Sequence, residues 1–587
     1  MLDHRGLILI ALAVPALTGA TAPGDNIVVT ATRSERALED VIVPVTVIRR
    51  EQIELAGATD IAELLRFEAG LDIGRNGGPG QATSVFLRGT ESNHTLVLVD
   101  GVRINPGTIG GAALQNIAPE LIERIEIVKG ARSALYGTDA IGGVINIITR
   151  RAGGGYAEVG GGGGSFATRS AFLSLGSAGD DAEFGVTLNA QDSDGYAIRA
   201  DSPLERGYDN LSANLYGSRQ LGRANVAVRH WRAAGTSEYL DFFLAPRVQD
   251  YRNESTAVEF DHPLGERGES RLIVSRMVDD IRQRDSDDFV ESARLALDWQ
   301  YSLALRHHDL ALGVYATRED AEALSFGSGF AEETTTRALF LRDVVDLGHQ
   351  RAFLAVRYTD HDTFGDEFTW NAEYALDVGE RLTLGVGAAH AFRAPDATDR
   401  YGFGGNVDLR PESADEVQLS AELELGPRQS ARLEFYRNDI DDLIEFDLAT
   451  FTLENLAAAR IRGAQLGWHY DGERYGLRAD ALVQRAENAA DGTPLLRRAE
   501  RSLTLNASRR FGEHALGLSL LASGERADLA ADLPGYVLIN LTGQFRLGRN
   551  WQLNARVENL LDTRYQTAAP YRMAGRSAFF EFKYRWH

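Results

Sequence analysis

The sequence predicts a membrane β-barrel of about 22 antiparallel strands whose lumen is closed by an N-terminal α+β plug domain. Long segments beyond residue 153 alternate apolar with polar residues, whereas the preceding residues mix short helices with short strands. The 587 residues also exceed what one ordinary hydrophobic core can fill. The 60 glycines against 15 prolines, with 9% aromatic residues, suit many strands joined by tight turns.

The composition excludes several classes of function. The formal net charge is −23, which argues against nucleic acid as a partner because a phosphate-binding surface needs a basic excess. The chain has no cysteine, so disulfides, thiolate nucleophiles and cysteine-bound metal sites are ruled out. We therefore expect no resident cofactor of these kinds.

Residues 1–22 are typical of a cleaved secretory signal. His4 and Arg5 form a weakly basic start, an apolar run covers residues 6–17, and small residues follow. This run is too short for an ordinary spanning helix, and no later stretch of about 20 apolar residues occurs. We therefore expect the remainder of the chain to be exported.

Residues 34–152 are predicted to form the compact α+β domain. Asp60 and Glu63 have the spacing of a capping box at a helix start. Residues 96–99 form an apolar run and residues 125–128 are mostly β-branched, and each is followed by a residue pair containing glycine, which indicates two strands ended by turns.

Residues 153–587 are predicted to form the barrel. In the last segment Phe580, Phe582, Tyr584 and Trp586 alternate with charged residues, as expected of a strand facing lipid on one side. Only a closed barrel lets strands cross a bilayer with every backbone group hydrogen-bonded. At about 20 residues per strand and connection, the region accommodates on the order of 22 strands, and a barrel that wide is normally plugged.

A glycine-rich tract lies at the junction of the two regions. It contains a Gly-x-Gly pattern, but no helix signal follows it, so a nucleotide-binding loop is disfavoured. We interpret the tract, at residues 153–155 and 160–164, as a hinge and a strand.

A short β-branched run near the expected mature N-terminus, residues 25–33, resembles the TonB box of TonB-dependent receptors. A run of this kind can be captured as an added strand by the sheet edge of another protein. An ordinary first strand of the plug is the alternative interpretation. The predicted TonB-binding residues are Asp25, Asn26, Ile27, Val28, Val29, Thr30, Ala31 and Thr32, followed by Arg33.

Further motifs in both regions are similar to those of the cobalamin (vitamin B12) receptor family of the Gram-negative outer membrane. The resemblance implies that a ligand binds between the plug apices and the extracellular loops. It also implies that TonB in the inner membrane, energised by the proton gradient, releases the ligand inward. The motifs are NGG at 76–78, VFLRG at 85–89, LVLVDGVR at 96–103, RSALYGTDAIGGVINI at 132–147, FRAP at 392–395, YRNDIDDLI at 436–444, TPLLRRA at 493–499 and ENLLD at 558–562.

The same resemblance implies which residues face a corrinoid. Serine and threonine hydroxyls can hydrogen-bond its amide side chains, and an arginine from the barrel can donate to them. Two features depart from the family pattern, since Glu91 replaces a neutral amide and the loop near Pro106 is one residue shorter. The residues of this chain that the resemblance places next to the ligand are Ala82, Ser84, Glu91, Thr108, Ile109 and Arg497.

The cobalamin receptors also carry an aspartate-rich calcium site in two early extracellular loops. Carboxylate oxygens suit calcium, so structural calcium is an expectation for this chain. Ala197 stands where one ligand would be expected, and solvated acidic loops are the alternative. The candidate ligands are Asp209, Asp241 and Asp250, among nearby carboxylates at Asp192, Asp194 and Asp201.

Arg88 and Arg132 resemble plug arginines that pair with barrel glutamates and lock the plug in place. An arginine fork can hold two carboxylate oxygens at once. Gln418 stands where the family has one of these glutamates. A purely structural salt bridge is the alternative role for either arginine.

Two other kinds of outer-membrane barrel fit this sequence less well than a transporter. An outer-membrane enzyme is disfavoured because the sequence has no nucleophile elbow or metal-ligand helix, and a passive porin is disfavoured by the plug. A receptor for a ferric siderophore or haem remains open, since specificity resides in the extracellular loops. The expected partners are TonB, a large nutrient ligand and outer-membrane lipid.

Overall fold

The computed structural model describes residues 28–29, 33, 36–37, 42, 45–152, 155–325, 327–447, 449–455, 458–529 and 531–586. The predicted signal segment lies outside the described residues, as do residues 25–27 and 30–32 of the predicted TonB box and the last residue, His587. No helix in the described ranges is long and apolar enough to cross a membrane.

The N-terminal part forms the predicted α+β plug. A two-residue pairing joins β1 (Val28–Val29) to β2 (Arg36–Ala37), and a five-stranded sheet has the order β3-β8-β9-β6-β7. The bounds are β3 (Val45–Arg49), α1 (Arg50–Ala56), α2 (Ile61–Leu65), β4 (Leu71–Arg75), β5 (Thr83–Leu87), β6 (Thr95–Val99), β7 (Val102–Arg103), β8 (Ile122–Lys129), α3 (Ser133–Tyr136) and β9 (Gly143–Thr149).

Local sequence explains the start of α2. The Asp60 side chain accepts a hydrogen bond of 3.1 Å from the Glu63 backbone N–H, which satisfies one free donor of the first turn. Ile61, Leu64 and Leu65 of this helix are buried in the core of the plug. The predicted helix start and its apolar face are both present.

The remainder forms a closed antiparallel barrel of 22 strands, as predicted. A short hairpin, β25 with β26, lies outside the barrel order. The bounds are β10 (Tyr156–Gly164), β11 (Arg169–Ala178), β12 (Ala182–Arg199), β13 (Ser202–Leu221), β14 (Ala224–Leu240), β15 (Pro246–Leu264), β16 (Gly268–Gln283), β17 (Phe289–Ala304), β18 (His308–Ser325), β19 (Ser328–Asp346), β20 (Gln350–His361), β21 (Gly365–Val378), β22 (Leu382–Arg393), α4 (Ala397–Tyr401), β23 (Glu412–Gly426), β24 (Gln429–Asp441), β25 (Ile444–Asp447), β26 (Thr452–Asn455), β27 (Ala458–Asp471), β28 (Tyr475–Asn488), β29 (Arg501–Phe511), β30 (His514–Ser523), β31 (Tyr536–Leu547), β32 (Trp551–Glu558) and β33 (Ser577–Trp586).

The barrel closes where β10 pairs with β33. Five consecutive glycines of β10, at positions 160–164, lie in this seam. A Cβ added to Gly162 would lie 2.3 Å from the carbonyl oxygen of Phe580, so a side chain there would collide with the last strand. The part of the glycine tract at 160–164 is therefore strand, and its composition permits closure.

The connections differ between the two ends of the barrel. At one end the turns are short, for example residues 222–223 and 427–428, whereas the other end carries the connections 394–411, 442–457 and 559–576. Outer-membrane barrels have short periplasmic turns and long extracellular loops. The end with the long connections is therefore the extracellular end.

The last strand shows the predicted alternation. The rings of Phe580, Phe582 and Trp586 are exposed on the outer surface, whereas Lys583 is buried on the lumen side. The Trp586 ring packs edge-on against Tyr584 with centroids 4.7 Å apart. This face of β33 is suited to contact lipid and the membrane interface.

The exposed aromatic at the chain end leads to a prediction about assembly. We expect Trp586→Ala to lower outer-membrane levels severalfold and deletion of His587 to leave them unchanged, because the resemblance to outer-membrane receptors implies that a terminal aromatic is the signal read by the insertion machinery. Trp551 is an equally exposed tryptophan on the neighbouring strand, and Trp551→Ala is the matched control. Quantitative immunoblotting of outer-membrane fractions measures the effect. Equal levels of the two alanine variants would contradict the prediction.

Candidate functional site

The predicted ligand-facing positions of the plug differ in exposure. Ala82 and Ile109 are exposed, and Ser84 is half-buried at the edge of the plug. Thr108, by contrast, has no exposed surface. Three of these four positions are therefore accessible from outside the plug.

A loop helix covers Thr108. The backbone N–H groups of Ala397 and Thr398, in the first turn of α4, donate to the carbonyl oxygens of Gly107 and Thr108, each over 2.9 Å. The Thr108 hydroxyl is buried and has no hydrogen-bond partner among the described residues. The extracellular connection 394–411 thus lies directly on the plug apex.

Glu91 is engaged by the barrel. Its carboxylate pairs with the guanidinium of Arg498, which also donates to the Gly89 carbonyl oxygen over 3.2 Å. The same guanidinium lies 4.4 Å from the ring centroid of Phe86. The acid that departs from the family's neutral amide therefore has a structural partner, which the linear sequence did not reveal.

Arg497 lies beside Arg498 but points elsewhere. Its Nε donates to Asp528 over 3.2 Å, and Asp528 also accepts from the Ala569 backbone N–H over 2.6 Å. The Arg497 side chain is 26% exposed and adopts a backbone φ of 68°. Because the pairing uses Nε, the two terminal nitrogens remain available as donors to a ligand.

A buried charge network lies where the plug meets the start of α4. His94 Nε2 lies 3.0 Å from the Glu412 carboxylate, and Arg393 donates to Glu412 over 2.9 Å. Arg393 also donates to Asp396 and Asp399, at the start of α4, over 2.9 and 2.6 Å. Burial and the neighbouring Asp399 carboxylate raise the pKa of Asp396 well above its usual range. Within this network only Arg393 belongs to a motif noted above, FRAP at 392–395.

Arg88 joins the plug to two barrel strands. Its Nη1 donates to Glu416 and to Gln418, both over 3.1 Å, and its Nη2 donates to Glu434 over 2.7 Å. The guanidinium also lies 4.6 Å from the ring centroid of Tyr436. Gln418 thus contributes a neutral acceptor, and the second carboxylate is supplied by Glu434 on the adjacent strand.

Arg132 makes a second, independent connection. Its Nη1 donates to Glu373 on β21 over 2.6 Å. The adjacent Ala131 carbonyl oxygen accepts a hydrogen bond of 2.7 Å from Asn371. Both arginines predicted to lock the plug therefore contact barrel glutamates.

Arg33, the last residue of the predicted TonB box, contacts both the barrel and the plug. The Arg33 guanidinium pairs with Asp298 on β17 and donates to the Leu135 carbonyl oxygen over 3.0 Å. It lies 4.7 Å from the ring centroid of Phe340. Of the run itself, Val28 and Val29 pair with Ala37 and Arg36 in the β1–β2 hairpin. The sequence did not indicate this anchor, because Asp298 is 265 residues away.

The structure does not bring the predicted calcium ligands together. Asp241 accepts backbone N–H groups of its own turn, and Asp250 pairs with Arg284 over 2.7 Å. Asp209 is exposed on β13, where it lies opposite Thr236 of β14 and opposite Asp192 of β12, one of the nearby carboxylates. In the parts of the chain that the structure describes, no group of three or more carboxylate or histidine side chains could hold a metal ion.

Comparison with known proteins agrees with this architecture. Residues 149–560 match the family described as TonB dependent receptor-like, beta-barrel, and residues 37–144 match the TonB-dependent receptor plug domain. The vitamin B12 transporter BtuB of Photobacterium profundum is 30% identical over 627 residues of alignment, which cover 99% of this chain and 100% of that protein.

Solved structures with this fold include receptors for other cargo. The siderophore receptor PirA from Acinetobacter baumannii superposes with a TM-score of 0.80 at 17% identity, covering 92% of this chain and 98% of PirA. A mutant of the ferric enterobactin receptor PfeA from Pseudomonas aeruginosa gives 0.81 at 18% identity, covering 93% and 98%. The FrpB iron transporter from Neisseria meningitidis gives 0.80 at 14% identity, covering 93% and 99%. These similarities concern the fold.

Proposed function

The chain belongs to the TonB-dependent receptors of the Gram-negative outer membrane, and within that family we propose that it imports cobalamin or a related corrinoid. The observation that carries this proposal is the similarity to a vitamin B12 transporter along the whole chain, plug and barrel together. The iron and siderophore receptors share the fold at much lower identity.

The geometry at the extracellular end suits a large ligand rich in amide groups. Ala82 and Ile109 offer exposed apolar contact on the plug, and Ser84 offers a hydroxyl. Arg497 lies on the connection between β28 and β29, and its pairing with Asp528 through Nε leaves its terminal nitrogens to donate to a ligand. We propose that Glu91 and Thr108 shape the site without contacting the ligand, because Glu91 is paired with Arg498 and Thr108 is covered by α4.

We infer that transport is driven by TonB through residues 25–32. The described part of this run, Val28 and Val29, makes only a two-residue pairing with β2. A pairing of two residues contributes few backbone hydrogen bonds, so it is only marginally stable. A sheet edge of TonB could therefore bind the strand by β-augmentation. A cleaved signal peptide at residues 1–22 would deliver the chain to the periplasm for insertion.

The test of the cargo is equilibrium binding by the purified protein. Cyanocobalamin and a panel of ferric siderophores and haem are titrated separately, with quenching of intrinsic tryptophan fluorescence as the signal. We expect saturable binding of cyanocobalamin at or below micromolar concentration. Binding of a siderophore or haem without cyanocobalamin would overturn the cargo assignment and leave the family assignment untouched.

Arg497→Ala tests the binding site itself. We expect affinity for cyanocobalamin to fall roughly ten- to hundredfold, because a ligand amide would lose a charge-assisted donor worth about 1 to 3 kcal/mol. Arg318→Ala is the matched control, since this exposed arginine of β18 lies opposite Leu295 on the outer surface of the barrel. Unchanged affinity of the Arg497→Ala protein would remove Arg497 from the site.

A further inference from the structure

The outer surface of the barrel carries a row of arginines near its extracellular rim. Arg437 on β24 is directly opposite Arg462 on β27, and Arg462 is directly opposite Arg485 on β28. All three side chains are more than half exposed. Cβ atoms at opposed positions lie about 5 Å apart, and like charges directly opposite each other are destabilising. An anion seated across the row would relieve this repulsion.

The carboxylates that pair with the row are fewer than its arginines. The neighbouring row contains Asp439, Arg460 and Glu487, together with Asp415 of β23, which lies 2.8 Å from His390. Asp439 accepts from Arg437 over 2.6 Å and from Arg460 over 2.9 Å, so it serves two arginines. Glu487 pairs with Arg485 and lies 3.7 Å from Arg462. Four arginines thus share two carboxylates on the surface of a protein with a net charge of −23.

Arg462 has the weakest pairing of the four. The Arg462 guanidinium lies 3.7 Å from the Glu487 carboxylate, which is beyond hydrogen-bond distance, so Arg462 does not donate to Glu487. An arginine fork matches the oxygens of a phosphate in a bidentate arrangement. Because Arg437 and Arg485 flank Arg462 on the two neighbouring strands, one phosphate group could accept hydrogen bonds from arginines of more than one strand.

The row borders the surface that faces lipid. One step closer to the periplasm, the outward positions on the same three strands are Phe435, Ala464 and Val483. Phe435 is directly opposite Ala464, and Ala464 is directly opposite Val483. Exposed leucines follow at positions 433 and 466. An apolar band of this kind marks the hydrocarbon region, and the residues at its extracellular edge lie at the level of lipid headgroups.

We propose that Arg437, Arg462 and Arg485 bind a phosphate group of an outer-leaflet lipid. The position of the row at the edge of the apolar band favours a lipid over a free anion, because the acyl chains would cover the band while the headgroup phosphate meets the arginines. The site is distinct from the cargo site, since it lies on the outer surface of the barrel.

The experiment compares three probes on the full-length protein in a neutral detergent. These are phosphorylated lipid A, dephosphorylated lipid A with the same acyl chains, and inorganic phosphate, with bound lipid counted by native mass spectrometry. We expect the wild-type protein to bind phosphorylated lipid A at least about tenfold more tightly than the dephosphorylated form. The variant Arg437→Gln, Arg462→Gln, Arg485→Gln should lose that preference.

A matched control separates the row from net charge. Arg276, Arg282 and Arg318 are exposed arginines elsewhere on the barrel and are not directly opposed to one another. Replacing these three with glutamine should leave the preference unchanged, and both triple variants should keep the heat-resistant compact barrel on unboiled gels. The proposal would be overturned if the variant of Arg437, Arg462 and Arg485 kept the preference for phosphorylated lipid A, or if the control variant lost it equally. It would also be overturned if inorganic phosphate alone bound as tightly as phosphorylated lipid A.

Discussion

Replacing Val29 with proline should reduce active uptake to the level seen in de-energised cells while surface binding of the ligand stays intact. Val29 lies in the run that we propose TonB captures, and among the described residues its backbone pairs with Arg36 in the β1–β2 hairpin. Proline removes the N–H that an added strand donates and restricts the backbone. The loss falls on transport because the apical positions belong to other parts of the chain.

Val29→Ala is the control for this experiment, since it shortens the side chain but keeps the N–H. Uptake of labelled cyanocobalamin is measured in energised cells and in cells treated with an uncoupler, and the uncoupled value reports surface binding. We expect the alanine variant to transport at close to the wild-type rate. Full uptake by the proline variant would show that TonB engages another segment.

Removal of Arg88 should weaken plug docking more than any other single change in the plug–barrel interface. Glu416 and Glu434 are both buried, and each is paired with Arg88. Arg88→Ala leaves two buried carboxylates without this cation, at a cost of about 3 to 5 kcal/mol. The measurement is the free energy of plug unfolding in denaturant, followed by protease accessibility of the plug, while the barrel stays folded.

Two further variants identify the cause. Arg88→Ala combined with Glu416→Gln and Glu434→Gln should recover part of the lost stability, because neutral amides are less costly to bury than carboxylates. Arg49 pairs with Asp471 across the same plug–barrel interface, and both side chains are at least 40% exposed, so Arg49→Ala should cost no more than about 1 kcal/mol. If Arg88→Ala is no more damaging than Arg49→Ala, the Arg88 cluster does not hold the plug.

The sequence alone determined the architecture. The 22-strand barrel, the α+β plug and the start of α2 at Asp60 follow from local signals. Side chains return to the same face every two residues in a strand and every 3.6 residues in a helix. The pattern of apolar residues in a window of about ten residues therefore indicates which element forms. The outward aromatics of β33 at Phe580 and Phe582 belong to the same class of signal.

Only the tertiary structure decided which side chains meet. Glu434, rather than the position occupied by Gln418, supplies the second carboxylate to Arg88, and Arg498 captures Glu91 from a distance of 407 residues along the chain. Thr108 is buried because α4 lies on it, and the row from Arg437 to Arg485 exists because three strands pair in one register. Register around a closed barrel is set jointly by strand lengths, bulges and turns. A shift of one residue moves a side chain to the other face, so these contacts cannot be read from any single segment.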